Sequence, residues 1–278
     1  LRDEVHIPSV TEVALFSTAD DTGPSTGLVR LRQFQPNSTV ELKSAVESLT
    51  QAGISALVID LRGNTGGLFN EAVSVSSLFL DQDLTVVKTR GRVGVREENL
   101  SAVAEPGPFL DVPLAILIDG SSASASEIVA AALRDHQRAV LVGSNSFGKW
   151  TAQDLIYIPS GSNESLLKLT TQSFHPPIGS SISHDERGQR SGLIPDLAIA
   201  TNPEIAYQLA LAHRSRSYER IEAPAAVSRF PVPDRQSTVD SRGNGDPVLV
   251  SALQLLGDSE RYKILLQTEK NPLQEEPR

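Results

Sequence analysis

Two stretches of the chain, ISALVID at 54–60 and VPLAILID at 112–119, are almost continuously apolar. Runs of this length without polar alternation read as strands buried on both faces, the usual state in a parallel sheet. Each is followed by a turn of small residues, LRGNTGG and GSSASAS, and then by a run with helical spacing. The first run predicts a helix over roughly 68–79, through Leu68, Ala72, Val73, Val75, Leu78 and Phe79. The second, EIVAAALRDH, is alanine-rich and suited to close packing. Another strand, RAVLVG at 138–143, comes next. Alternation of strand and helix across tight turns argues for an α/β core with a parallel or mixed sheet.

The flanking segments extend this pattern. An apolar run, VALFS, lies within the first 26 residues and leads to the turn-rich DDTGPSTG. LVRLRQF at 28–34 alternates and reads as a strand. Asn37-Ser38-Thr39 offers a helix start. Val40, Leu42, Ala45, Val46 and Leu49 supply the apolar spacing and Gly53 the stop. Two strand candidates fall in 154–172, and LIPDLAIA at 193–200 is a last extended run. From about 222 to 246, Pro, Arg, Ser, Asp and Gly dominate without a period, which reads as a linker or mobile loop. DPVLVSALQLLGD at 246–258 predicts a short helix with Asp246 as N-cap, Pro247 at its first position and Gly257 at its end. The final 20 residues are polar and expected to fray.

Composition narrows the function. With 39% hydrophobic residues in 278, the chain can build a sizeable core. Its 25 Lys and Arg against 34 Asp and Glu leave a net charge of −9, the wrong sign for a nucleic-acid footprint. The absence of cysteine excludes disulfides, thiolate metal sites and a cysteine nucleophile. No apolar run approaches the roughly 18 residues of a membrane span. Lacking any methionine, the sequence is expected to be a trimmed or processed piece, with any signal peptide lost upstream.

Candidate chemistry centres on the serines ahead of EIVAAALRDH. Ser124-Ala125-Ser126-Glu127 fits a capping box, in which Ser124 does no more than accept a backbone N–H. The same position also suits a nucleophile, because the first N–H groups of a helix lack intrahelical partners and can stabilise an oxyanion. A serine then needs a base. None of the histidines, at 6, 136, 175, 184 and 213, sits in a turn that suggests a triad. His136 lies roughly 18 Å along the helix at about 1.5 Å per residue, and Asp135 fails by the same arithmetic. Lys149 is the better candidate. It follows a buried strand and a Phe-Gly pair, with Trp150 beside it. A lysine in apolar surroundings can be neutral near pH 7 and act as a general base. If the segment is extended, Gln153 falls on the same side as Lys149 and its amide can orient the amine. A Ser–Lys dyad is a recognised form of nucleophile activation.

Taken together, SASASE, the helix ending in LRD, RAVLVG, FGK and the glutamine four residues later resemble the C-terminal processing proteases, also called tail-specific proteases. LVRLRQF, LVIDLRGNTGG with its following EAV, LKLTTQSFHPPIGSSI and GLIPDLAI agree in order and spacing. The resemblance spans roughly 1–200 and, more weakly, DPVLVSALQLLGD. It implies a serine endopeptidase in which Ser124 is the nucleophile, Lys149 the general base and Gln153 the residue that positions the lysine. The oxyanion hole is implied at the N–H of Ala125 and a glycine N–H of Gly66 or Gly67. Asp135 matches an acidic position for which a structural role is expected. Trp150 stands where relatives usually carry glycine, and is expected either to dry the site or to block its cleft.

The implied fold is α/β: a crotonase/Clp-protease-like core of repeated strand–turn–helix units with a mixed sheet, plus a C-terminal helical tail. Its expected divisions are a lead-in segment over 1–26 that follows a PDZ domain absent from this chain, a Ser–Lys protease core over 27–200, and a C-terminal helix, linker and tail over 201–278. The resemblance implies polypeptide substrates bound as an added strand and leaves a homo-oligomer open. It implies no nucleic acid, no metal and no cofactor. It also points to an extracytoplasmic location, in the periplasm or the thylakoid lumen. Two rival expectations keep the fold without proteolysis: a binding module whose apolar pocket Trp150 lines, and a pseudo-protease.

Overall fold

A computed structural model describes residues 7–17, 24–91, 100–160, 163–178, 192–216, 228–231 and 245–268. In chain order the elements begin with strands β1 (Val10–Ser17) and β2 (Thr26–Leu31), helix α1 (Ser38–Gln51), β3 (Ala56–Asp60) and α2 (Phe69–Ser77). Next come β4 (Thr85–Gly91), β5 (Leu100–Val103), β6 (Leu114–Ile118), α3 (Ala125–Asp135) and β7 (Val140–Gly143). A long hairpin, β8 (Thr151–Ser160) and β9 (Asn163–His175), precedes β10 (Leu197–Ala198) and α4 (Pro203–Arg216). Strand β11 (Ser228–Pro231) and helices α5 (Pro247–Gly257) and α6 (Ser259–Gln267) complete the order.

The larger sheet runs β10-β7-β6-β3-β2-β1-β11. Strands β2, β3, β6, β7 and β10 are parallel, β1 is antiparallel to β2, and β11 is parallel to β1. The sheet is therefore mixed, as the strand–turn–helix pattern predicts. A second, antiparallel sheet runs β5-β4-β9-β8.

Successive strand side chains point to opposite faces, and here both faces are covered. Val29, Leu31, Leu57, Ile59, Leu114, Ile116 and Leu141 join the core built with α1, α2 and α3. Their neighbours Leu28, Val58, Ala115, Leu117, Val140 and Val142 join a second core with Val248, Leu249, Ala252, Leu253 and Leu255 of α5 and with Tyr262 of α6. This is why 54–60 and 112–119 lack alternation. Helix α3 is buried along nearly its whole length, which its alanines permit.

Several sequence expectations change at their edges. In α1 the buried face is Leu42, Ala45, Val46 and Leu49, while Val40 is exposed; Gly53, at φ +85°, lies just beyond the helix end. The linker reading of 222–246 misses β11, whose partner β1 lies far back in the chain. The polar C-terminal stretch contains α6: its Tyr262 is buried and hydrogen-bonds Leu114, while the rest of the helix is largely solvated. Beyond these, the end of that stretch (269–278), most of the linker, the turn at 20–23, and His6 and His184 lie outside the described residues.

Candidate active site

Strands β3 and β6 are parallel neighbours, so the turns that leave their C-terminal ends meet on one edge of the sheet. Open α/β sheets place ligands at such edges. The two turns are clasped by hydrogen bonds. Asp119 Oδ1 accepts from the N–H of Gly63 at 3.1 Å and of Ser121 at 2.9 Å. Ser122 Oγ donates to the Leu61 carbonyl at 2.9 Å. The Asn64 carbonyl accepts from Ala123 N–H at 3.1 Å and from Ser126 Oγ at 2.9 Å. Asn64 itself is fully buried; its Nδ2 donates to Leu31 O and its Oδ1 accepts the Gly66 N–H, at 2.8 and 2.9 Å.

This clasp puts Gly66 against Ser124. A Cβ on Gly66 would lie 2.7 Å from Ala123 O, 2.8 Å from Ser124 Cβ and 2.9 Å from Ala125 N. On Gly67 it would lie 2.0 Å from the Phe34 carbonyl oxygen. Both glycines have positive φ, +99° and +150°. The GG pair is thus fixed by close backbone approach as well as by its turn. The Gly66 N–H is engaged by Asn64, whereas the Gly67 N–H has no hydrogen-bond partner among the described residues. Ala125 is the first residue of α3, so its N–H has no intrahelical acceptor. Ser124 has φ 56° and ψ −114°, a sparsely populated conformation for a residue with a side chain. Strain of this kind persists only where surrounding contacts over-determine it.

Glu127 supplies those contacts. Its fully buried carboxylate accepts from Ser124 N–H at 2.9 Å and Lys149 N–H at 2.8 Å on Oε2. On Oε1 it accepts from Ser146 Oγ at 2.5 Å and Gly148 N–H at 2.6 Å. The backbone nitrogens of Ser124 and Lys149 are therefore no farther apart than two hydrogen bonds laid end to end. The predicted capping box is present as a pairing of Ser124 with Glu127, and the bond it makes is the one donated by Ser124 N–H. Lys149 is half-buried, and its amine has no carboxylate partner among the described residues.

The other sequence-selected residues fall on β8, just before it, and at the far end of α3. Gln153 is exposed on β8 and its Nε2 donates to Thr170 Oγ1 at 3.4 Å. The β8–β9 pairing slips by one residue between Ala152 and Gln153. Asp135 is buried; it accepts from Arg134 at 3.0 Å and from Ile178 N–H at 3.3 Å, tying the segment after β9 to the end of α3. Trp150 is 3% exposed and packs in the main core, so its indole is a structural filler and does not line an open pocket. His136 bonds the Thr85 carbonyl at the far end of α3. Among the described residues, no group of three or more His, Cys, Asp or Glu is placed to hold a metal ion.

Two features had no local signal. Glu127 reads as a cap partner from sequence, because its other ligands lie 19 to 22 positions away. The second feature is an ion cluster behind the β3 turn. Arg62 donates to Asp60 Oδ1 and Oδ2 at 2.9 and 2.7 Å, and to Asp246 Oδ1 and Oδ2 at 3.0 and 2.7 Å. Arg30 donates to Asp60 Oδ2 at 2.9 Å. Burial disfavours both guanidinium charges. In Arg62 the carboxylates of Asp246 and Asp60 outweigh it and raise the pKa, while in Arg30 burial prevails and lowers it.

Comparison with known proteins matches the model of peptidase family S41 to residues 25–199. The chain is 34% identical over 200 residues to a carboxyl-terminal-processing protease of Picosynechococcus sp., covering 72% of this chain and 45% of that protein. It is 39% identical over 178 residues to a carboxy-terminal-processing protease of Bartonella bacilliformis, covering 62% and 38%. The chain thus spans less than half the length of these two relatives. Among solved structures, a photosystem II D1 C-terminal processing protease superposes with a TM-score of 0.59 at 27% identity, covering 78% of this chain and 55% of that one. The match covers the clasped turns, the Glu127 anchor and the lysine loop alike, and the chain belongs to peptidase family S41.

Proposed function

We propose that this chain carries the catalytic core of a serine endopeptidase that trims the C-terminal tails of protein substrates. The observation that carries the reading is the shared anchor: one carboxylate oxygen of Glu127 holds both Ser124 and Lys149 by their backbone N–H groups. In the proposed reaction Ser124 Oγ attacks the scissile carbonyl carbon while Lys149 Nζ takes the hydroxyl proton. The tetrahedral oxyanion is held by the N–H groups of Ala125 and Gly67, with Gly66 providing the close approach. The C–N bond then breaks as Lys149 returns the proton to the leaving amine. Water, deprotonated by the same lysine, hydrolyses the acyl-enzyme and restores Ser124. Gln153 aligns the lysine stem from β8, and Asp135 holds the segment after β9 in place.

Substrate is proposed to bind as an added strand, which favours unstructured tails. The same reading places the protein outside the cytoplasm, in the periplasm or a lumen; no described helix is long and apolar enough to cross a membrane. The test uses full-length protein and a peptide with an apolar C-terminal tail. Ser124→Ala and Lys149→Ala should each lower kcat by about 10³-fold or more while the proteins stay folded. Wild-type turnover in either variant removes the dyad. Labelling of Ser124 by a fluorophosphonate separates the enzyme from a pure binding module.

A further inference from the structure

Neither Arg62 nor Asp246 takes part in the chemistry proposed above, yet they are joined across 184 positions of sequence by a bidentate contact. Asp246 is the N-cap of α5, accepting from Val248 N–H at 3.1 Å and Leu249 N–H at 3.2 Å. Arg62 stands at the start of the turn that carries Asn64, Gly66 and Gly67. Its side chain is also forked onto Asp60, its N–H bonds Asp60 Oδ1 at 3.0 Å, and its carbonyl accepts from Arg30 at 3.2 Å. Three glycines of that turn, Gly63, Gly66 and Gly67, have positive φ. A turn of this composition has little stiffness of its own, so its geometry comes from outside anchors.

Helix α5 does not need the Arg62 contact to stay on the sheet. Val248, Leu249, Ala252, Leu253 and Leu255 already bury it in the second core, which holds it by apolar packing alone. What the fork adds is direction, because two parallel N–H···O bonds fix a guanidinium plane. The turn is thus held both by the loop after β6, through Asp119 and Ser122, and by α5, through Asp246.

We infer that Asp246 is a positioning residue for the oxyanion-binding turn, acting through Arg62, so that the C-terminal helix α5 is a working part of the site. The inference rests on the proposed reading of that turn. Asp246→Asn isolates the contact. Asparagine remains a good N-cap, so α5 keeps its start. Its amide nitrogen, however, turns a donor toward Arg62 Nη2 and replaces one arm of the fork with repulsion.

In the full-length protein, Asp246→Asn should lower kcat tenfold or more with KM within twofold, because the turn acts in the transition state. Affinity for a peptide aldehyde, whose adduct places an oxyanion in the hole, should fall by a similar factor. Affinity for the matching peptide alcohol should not change. Arg62→Lys should behave alike, and the double variant should lose little beyond either single one. Unchanged kcat, equal losses for aldehyde and alcohol, or additive losses in the double variant would each overturn the inference. If the wild type neither cleaves peptide nor binds aldehyde, the catalytic reading fails by itself. Amide hydrogen exchange then decides the coupling: Asp246→Asn should speed exchange tenfold at residues 63–68 while β3 keeps its protection, and unchanged exchange there sinks it.

Discussion

Replacing Glu127 by glutamine tests the shared anchor most directly. The carboxylate accepts four hydrogen bonds, two on each oxygen, and no water-facing atom is left to relieve a mismatch. Glutamine keeps one acceptor oxygen. Its NH2 group must then face either Ser124 N–H and Lys149 N–H, or Gly148 N–H and Ser146 Oγ, whose hydroxyl can turn to accept from it; the charge-assisted pair on that oxygen is lost in either case. Hydrogen bonds to a charged group contribute about 1.5–3 kcal/mol each, so two lost bonds amount to roughly 3–6 kcal/mol. Relief of burying a carboxylate offsets part of this, leaving an expected stability loss of about 2–4 kcal/mol. At about 2–4 °C per kcal/mol for a domain of this size, Tm should fall by roughly 5–15 °C. Activity should fall further than stability. Whichever pair is lost, either Ser124 and Lys149 or the loop that carries Lys149 is released, and a displacement near 1 Å costs about 10²-fold in rate. The assay is steady-state kinetics on an unstructured peptide well below the variant's Tm, with a melt on the same preparation. A Glu127→Gln protein with kcat within threefold of wild type refutes the argument that this carboxylate couples the proposed nucleophile to the proposed base.

Gly66→Ala should lower kcat by about 10- to 1,000-fold, because the new Cβ meets atoms of Ala123, Ser124 and Ala125 inside 3.0 Å at φ +99°; kcat/KM within twofold of wild type would contradict the close approach. Trp150→Ala should destabilise the fold by about 3–5 kcal/mol in urea titrations, whereas an unchanged midpoint would mean that the indole is not a core residue. Tyr262 gives a pH prediction. Burial raises its pKa above the usual value, despite its bond to Leu114 and the nearby Arg138. A raised folded-state pKa gives stability that is complete below the unfolded value of about 10 and is lost as pH rises through the folded one. Wild type should therefore lose its advantage over Tyr262→Phe as pH rises above about 10; a stability gap that stays constant above about pH 10 counts against it.

The elements that position the site were legible because their signals are local. The uninterrupted apolar runs at 54–60 and 112–119 became β3 and β6, and the small-residue turns after them became the two clasped loops. Asp246 and Pro247 marked the start of α5 by their own chemistry. Strand β11 was hidden because four residues in a Pro- and Arg-rich stretch acquire strand character only by pairing with β1. Most of α6 is solvated, and its packing rests on Tyr262, which reaches Leu114 across 148 positions, with Leu265 and Leu266 partly buried beside it.

Sequence by itself determined which residue types were on hand for chemistry: a serine at a helix start, a lysine after a buried strand and a glycine pair after another. Tertiary structure alone decided that they meet. The side chains that join them, Glu127 to the lysine loop and Arg62 to Asp246, hydrogen-bond across chain separations of about 20 to 184 residues. Periodicity and capping rules reach only a turn or two along the chain, whereas a buried carboxylate or guanidinium finds its partners wherever folding brings uncompensated donors and charges out of water.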